Sequence, residues 1–122
     1  MSFFGTLASL FTRTGRDDNL LRQGIDHAKE NRPAKAIEAY SSLVGSKSTS
    51  TTVRSRALFN RALAYSSMKD DKKAIADLEE VLAMPGVSEN VTIAARTQLV
   101  RVQNRKERQR TRVESAQSRK GR

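Results

Sequence analysis

The fold is predicted from the residues Ala57-Leu58-Phe59-Asn60-Arg61-Ala62-Leu63-Ala64-Tyr65, followed by Ala74-Ile75-Ala76-Asp77-Leu78. An earlier part of the chain has the same order: Gly24-Ile25-Asp26-His27 is followed by Ala36-Ile37-Glu38-Ala39-Tyr40. In both units a small residue precedes an Ala-Ile pair by 12 positions and a Tyr or Leu by 16, and the units lie 38 residues apart. Small residues let two helices approach closely, and larger ones fill the space between neighbouring hairpins. The repeat therefore predicts two helical hairpins.

Apolar residues recur at helical spacing through the middle of the chain. The pattern predicts helices over about 20–30, 33–44, 53–68 and 71–83, with Gly45 and Pro85-Gly86 as stop signals. Ser88 is predicted to cap a fifth helix, which carries Val91, Ala94, Ala95, Leu99 and Val102. No segment has convincing strand alternation, so we expect an all-α fold.

The repeated residues resemble the tetratricopeptide repeat family. The unit from Ala57 to Pro85 matches well, whereas the unit from Leu20 to Val44 is looser, with His27 where the family favours Tyr. The spacing of 38 residues exceeds the family's 34, so the linker at 45–53 carries about four extra residues. The resemblance covers about residues 18–102. It implies a short α-α superhelix of two helical hairpins and a C-terminal capping helix.

Charge divides the chain into three parts. The whole chain has 23 Lys and Arg against 13 Asp and Glu, a formal net charge of +10. Residues 1–16 and 17–102 each contribute +2, and residues 103–122 contribute +6. We therefore expect an amphipathic Phe-rich segment at 1–16, a helical repeat domain at 17–102 and a basic solvated or disordered tail at 103–122. The tail could also extend the fifth helix.

Residue types exclude several classes of protein. The chain has no Cys and one His, so it offers no disulfide framework and no Cys-based zinc site, and we expect no metal and no cofactor. His27 falls on a repeat-packing position, and Asp70-Asp71 and Glu79-Glu80 are predicted to be capping and surface acids. None of these residues forms a credible acid/base pair. We therefore predict that the protein is not an enzyme.

The resemblance implies a binding groove on the concave face, which the first helix of each hairpin lines and which holds peptides or partner helices in this family. Carried over to this sequence, the groove positions are Arg22, Ile25, Lys29, Arg56, Phe59, Asn60, Leu63, Ile93 and Arg96. Such a groove is basic with an apolar floor and suits an acidic or carboxylate-ended peptide with an apolar anchor. The leading hypothesis is a non-enzymatic cytoplasmic adaptor that binds another protein. The alternative for these charges is an ordinary solvated helix face.

The basic tail supports a second hypothesis. Its candidate polyanion-binding residues are Arg105, Lys106, Arg108, Arg110 and Arg112. Basic runs bind phosphate backbones by counterion release, and this tail has no aromatic residue for base stacking. The protein would then be associated with RNA, other nucleic acid or the ribosome, and the repeat would be a scaffold. The alternative is a solubilising tail.

The N-terminal segment has three interpretations. Its apolar residues, Phe3, Phe4, Leu7, Leu10 and Phe11, fall on one side of a helix. The segment could dock onto the repeat, lie on a membrane or partner, or act as a mitochondrial-type targeting peptide. The last two would change the location to membrane-peripheral or mitochondrial. Because two repeats are fewer than the three usually needed for stability, docking of this segment or self-association is also expected.

Overall fold

A computed structural model of the protein describes the backbone of residues 2–121 and the side chains of residues 15–121. Five helices follow one another: α1 (Ser2–Lys29), α2 (Pro33–Gly45), α3 (Thr51–Ser67), α4 (Asp71–Ala83) and α5 (Glu89–Lys120). Residues 2–121 contain no strand. The expected all-α fold is therefore confirmed.

Local side-chain chemistry sets where the helices begin. Pro33 occupies the first turn of α2, where its missing N–H is not needed. The side chains of Ser50, Asp70 and Ser88 accept hydrogen bonds from backbone N–H groups in the first turns of α3, α4 and α5. These side chains satisfy backbone N–H groups that have no partner within the helix, and so favour helix starts at these positions.

The two hairpins share the same backbone turn. Asn31, between α1 and α2, and Lys69, between α3 and α4, both have a φ of 62°. They are 38 positions apart, which is the spacing of the sequence repeat. The left-handed conformation is unfavourable for residues with a Cβ, so its use in both turns shows that the same chain reversal is built twice.

The helices form a short two-layer array. Each helix packs against the next along the chain, and α3 also touches both α1 and α5. In the part of the chain that the structure describes, α2 and α4 do not touch each other. The odd-numbered helices therefore form one continuous layer, called here the inner layer, and α2 and α4 form the outer layer.

Two apolar clusters hold the array together. The N-terminal cluster contains Leu21, Ala36, Tyr40, Leu43, Val53 and Ala57, and the C-terminal cluster contains Leu58, Ala62, Ala74, Leu78, Val81, Ala95 and Val102. Small residues sit where helices cross: a Cβ added to Gly24 would lie 2.4 Å from Cε1 of Tyr40. At the equivalent place in the second hairpin, Ala62 and Leu78 are both fully buried.

Two helices run past the boundaries expected from composition. The backbone of α1 is continuous from Ser2, so no helix boundary separates residues 1–16 from the repeat. α5 continues to Lys120, so the described part of the tail, residues 103–121, is helical for all but its last residue. Neither junction contains a proline that would stop a helix. The five apolar side chains expected to form the amphipathic face of residues 1–16 all lie outside the described ones. None of the described helices is long and apolar enough to cross a membrane.

Candidate binding groove and adjoining basic cleft

Two helices of the inner layer, α1 and α3, carry seven of the predicted groove residues. Arg22, Lys29 and Arg56 are exposed, whereas Ile25 and Phe59 are half-buried. Ile25 packs against the N-terminal cluster and Phe59 against the C-terminal one. Because each is only half-buried, one side of each side chain remains in contact with solvent. The surface therefore combines free cations with partly accessible apolar side chains.

The remaining two positions on α3 differ in what they offer. Leu63 is 37% exposed and is the most accessible of the apolar groove residues on α1 and α3. The Asn60 side chain donates a hydrogen bond from Nδ2 to the carbonyl of Arg56 at 2.8 Å. The Asn60 amide is therefore bonded to its own helix. Leu63 is the better candidate for an apolar anchor point.

The structure does not bring Ile93 and Arg96 to the same surface. The side of α5 that borders α3 carries Gln98, Arg101 and Arg105. Successive residues turn by about 100° around a helix, which places Arg96 on the opposite flank of α5. Ile93, 51% exposed, lies on the face of α5 turned away from the core. The register on α5 therefore differs from the predicted one.

A basic cleft of about 560 Å³ opens between the C-terminal end of α3 and α5. Its lining residues are Ser66, Lys69, Gln98, Arg101, Val102, Arg105, Arg108, Gln109 and Arg112. No acidic residue is among them. Within the described residues, Lys69, Arg101, Arg108 and Arg112 form no ion pair. The cleft therefore concentrates positive charge that the protein itself does not neutralise.

Arg105 has a structural role at the base of this cleft. Its Nη2 donates hydrogen bonds to a carboxylate oxygen of Asp71 and to the hydroxyl and carbonyl oxygens of Ser66. Asp71 and Ser66 are both buried. Arg105 was predicted to bind polyanions. In the structure its hydrogen bonds connect α5 to the C-terminal end of α3 and the N-terminal end of α4.

The other flank of the tail is partly neutralised. Arg110 donates to Glu107 at 2.7 Å and lies 4.0 Å from a carboxylate oxygen of Glu114. These contacts, chiefly the hydrogen bond to Glu107, raise the pKa of Arg110 above its ordinary value. Lys106 and Arg110 border a separate cleft beside Ile75 of α4. The five predicted tail residues therefore differ in position. Arg108 and Arg112 face the basic cleft, and Lys106 and Arg110 lie on the other side of α5. Arg105 forms the hydrogen bonds that connect α5 to α3 and α4.

Lys69, Gln98, Arg101 and Gln109 were not predicted from the sequence. A helical stripe at Arg101, Arg105, Arg108 and Arg112 could have been recognised from its spacing of four, three and four residues. Lys69 could not have been recognised in this way, because it comes close to these arginines only through the packing of α3 against α5. Among the described residues, no group of three or more His, Asp or Glu could hold a metal ion.

Comparison with known protein families agrees with this geometry. Residues 56–84, which comprise most of α3 and all of α4, match the tetratricopeptide repeat family. No curated protein and no solved structure matches the chain. The match supports the resemblance over the second hairpin, and the arrangement of five helices is consistent with a short helical repeat of the tetratricopeptide type. Tetratricopeptide repeats are protein–protein interaction modules, generally without catalytic activity.

Proposed function

We propose that the protein is a binding adaptor that holds an acidic peptide or partner helix in the groove formed by α1 and α3. One observation carries the proposal: the exposed cations Arg22, Lys29 and Arg56 accompany the partly exposed Leu63 on the inner layer of the array. Grooves of this composition favour ligands that combine negative charge with one apolar side chain.

The groove charges and the apolar residues would act at different stages of binding. Arg22 and Lys29 lie seven residues apart on one face of α1, which separates them by about 10 Å along the helix. Exposed charges of this kind steer an acidic ligand and mainly raise its association rate. An apolar side chain seated on Leu63, between the half-buried Ile25 and Phe59, would slow dissociation.

The proposal is tested by reversing two groove charges. Peptides of about twelve residues are selected on the full chain from a library rich in Asp and Glu with one Leu or Phe. Affinity is then measured by calorimetry for R22E/R56E. The proposal expects a Kd at least about tenfold higher, since two favourable charges become repulsive.

A matched control comes from the outer layer. Lys35 on α2 and Lys72 on α4 are both exposed, so K35E/K72E changes the net charge by the same amount. We expect its Kd to stay within about twofold of the wild type at moderate salt, where distant charges are screened. Equal weakening by both double variants would show that only net charge matters and would refute the groove.

A further inference from the structure

We infer that the basic cleft between α3 and α5 binds the phosphate backbone of a nucleic acid strand. The cations of the cleft are arranged in a row. Arg101, Arg108 and Arg112 share one face of α5 and extend over about 16 Å of helix. Lys69 adds a cation from the other wall of the cleft. The result is a row of cations along a channel.

The chemistry of the cleft favours phosphate over an acidic protein. Arg guanidinium groups form bidentate hydrogen bonds with phosphate oxygens, and the Gln98 and Gln109 amides can donate to the same groups. Val102 is the only apolar lining residue and is buried, so the cleft offers no accessible apolar surface to an apolar side chain of a ligand. Protein partners depend on such side chains, whereas polyanion backbones need only charge. With no aromatic lining residue, the cleft would bind without stacking bases.

The turn between α3 and α4 places Lys69 on the second wall of the cleft. Lys69 has a φ of 62°, and so does Asn31 at the equivalent position of the first hairpin. Backbone hydrogen bonds close both turns, from the Asp70 N–H to the Tyr65 carbonyl in the second hairpin and from the Arg32 N–H to the His27 carbonyl in the first. The turn is therefore common to both hairpins. What distinguishes the second hairpin is a lysine at this position, whose side chain lines the cleft.

The test uses a fluorescent single-stranded oligonucleotide of about twenty thymidines, with anisotropy measured against the full chain at several salt concentrations. R101A/R108A removes two cleft cations, and K106A/R110A removes two cations from the other flank of the same helix. We expect R101A/R108A to raise the Kd at least about fivefold at low salt. It should also reduce the slope of log K against log salt by about 1.4, because each lost phosphate contact contributes about 0.7. K106A/R110A should leave the slope unchanged.

A second pair of variants avoids any effect on α5. K69G removes a cleft cation while supplying the residue that best adopts the left-handed turn, and N31G makes the same change in the first hairpin. K69G should lower the slope by about 0.7, and N31G should leave it unchanged.

Three outcomes would overturn the inference. An equal loss of oligonucleotide affinity with K106A/R110A would indicate a non-specific polycation. Unchanged affinity with R101A/R108A or with K69G would show that the cleft does not bind the strand. Displacement of the oligonucleotide by polyglutamate at equal charge would indicate an acidic protein as the occupant. Because the cleft uses neither Arg22 nor Arg56, its failure leaves the proposed peptide groove standing.

Discussion

Gly24 of α1 lies directly against the Tyr40 ring of α2. A Cβ at position 24 would lie 2.4 Å from the Tyr40 ring, and the ring is fully buried with little room to move. We predict that G24A lowers the free energy of unfolding by about 1–3 kcal/mol through overpacking. Urea denaturation checks this. Gly45 is the control, because a Cβ there meets nothing within 4 Å, and G45A should not destabilise the protein. Equal stability of the two variants would contradict the packing described.

Tyr40 also makes stability depend on alkaline pH. Its hydroxyl has no hydrogen-bond partner among the described residues, and burial raises its pKa from 10.0 to about 12. The folded protein therefore holds this proton more tightly than the unfolded chain. The resulting stabilisation is complete below pH 10 and is lost as the pH rises towards 12.

The phenylalanine variant isolates this effect. Relative to the wild type, Y40F should gain on the order of 2 kcal/mol of stability between pH 10 and 12, at about 1.4 kcal/mol per pKa unit. Denaturation curves of both proteins across that range provide the measurement. Parallel pH profiles would show that the Tyr40 hydroxyl is not buried in the folded state.

At the scale of the helices, Arg61 connects three elements. It donates to both carboxylate oxygens of Asp77 on α4 at 2.8 Å and to the Ser41 hydroxyl on α2 at 3.1 Å. The hydrogen bond to Asp77 raises the pKa of Arg61. The two side chains are 17% and 7% exposed. Removing one partner therefore leaves a largely buried charge uncompensated.

We predict that D77A lowers the free energy of unfolding by about 2–4 kcal/mol for this reason. K73A, which removes an exposed ion pair with Asp70 on the same helix, should cost less than about 1 kcal/mol. Denaturation of both variants gives the comparison. A D77A cost as small as that of K73A would indicate that the Arg61 contact contributes little to the packing of α2, α3 and α4.

The elements differ in how far sequence could predict them. α4 was placed at both ends because it begins after Asp70 and ends before Pro85, and both signals are local. The rotational register of α5 was predicted wrongly at Ile93 and Arg96. Ile93 and Val100 are apolar but each 51% exposed, so the apolar positions of this helix do not mark its buried face clearly. The contact between Arg61 and Asp77 depends on tertiary packing, and so does the position of Lys69 beside α5. A local sequence pattern cannot predict either of them.

For the protein as a whole, we propose that the limit between the repeat and its tail lies at Arg105. Residues 106–121 are exposed, whereas Arg105 holds the buried Asp71. We predict that a chain ending at residue 106 keeps its Tm within about 2 °C, since the removed side chains are solvated. A chain ending at residue 102 should melt several degrees lower, because Asp71 loses its partner. Calorimetry of both truncations checks this, and equal melting would place the limit at residue 102.

The proposed partner would lie on the inner layer of the array. Photocrosslinking tests this placement, with benzoylphenylalanine in place of Leu63 on α3 and, as a control, in place of exposed Lys72 on α4. Each full-length variant is irradiated with the acidic peptide selected on the wild-type protein. We predict a covalent adduct with the labelled peptide from position 63, which an excess of the unlabelled peptide abolishes, and no adduct from position 72. Equal adducts from both positions, or an adduct from position 72 alone, would contradict it.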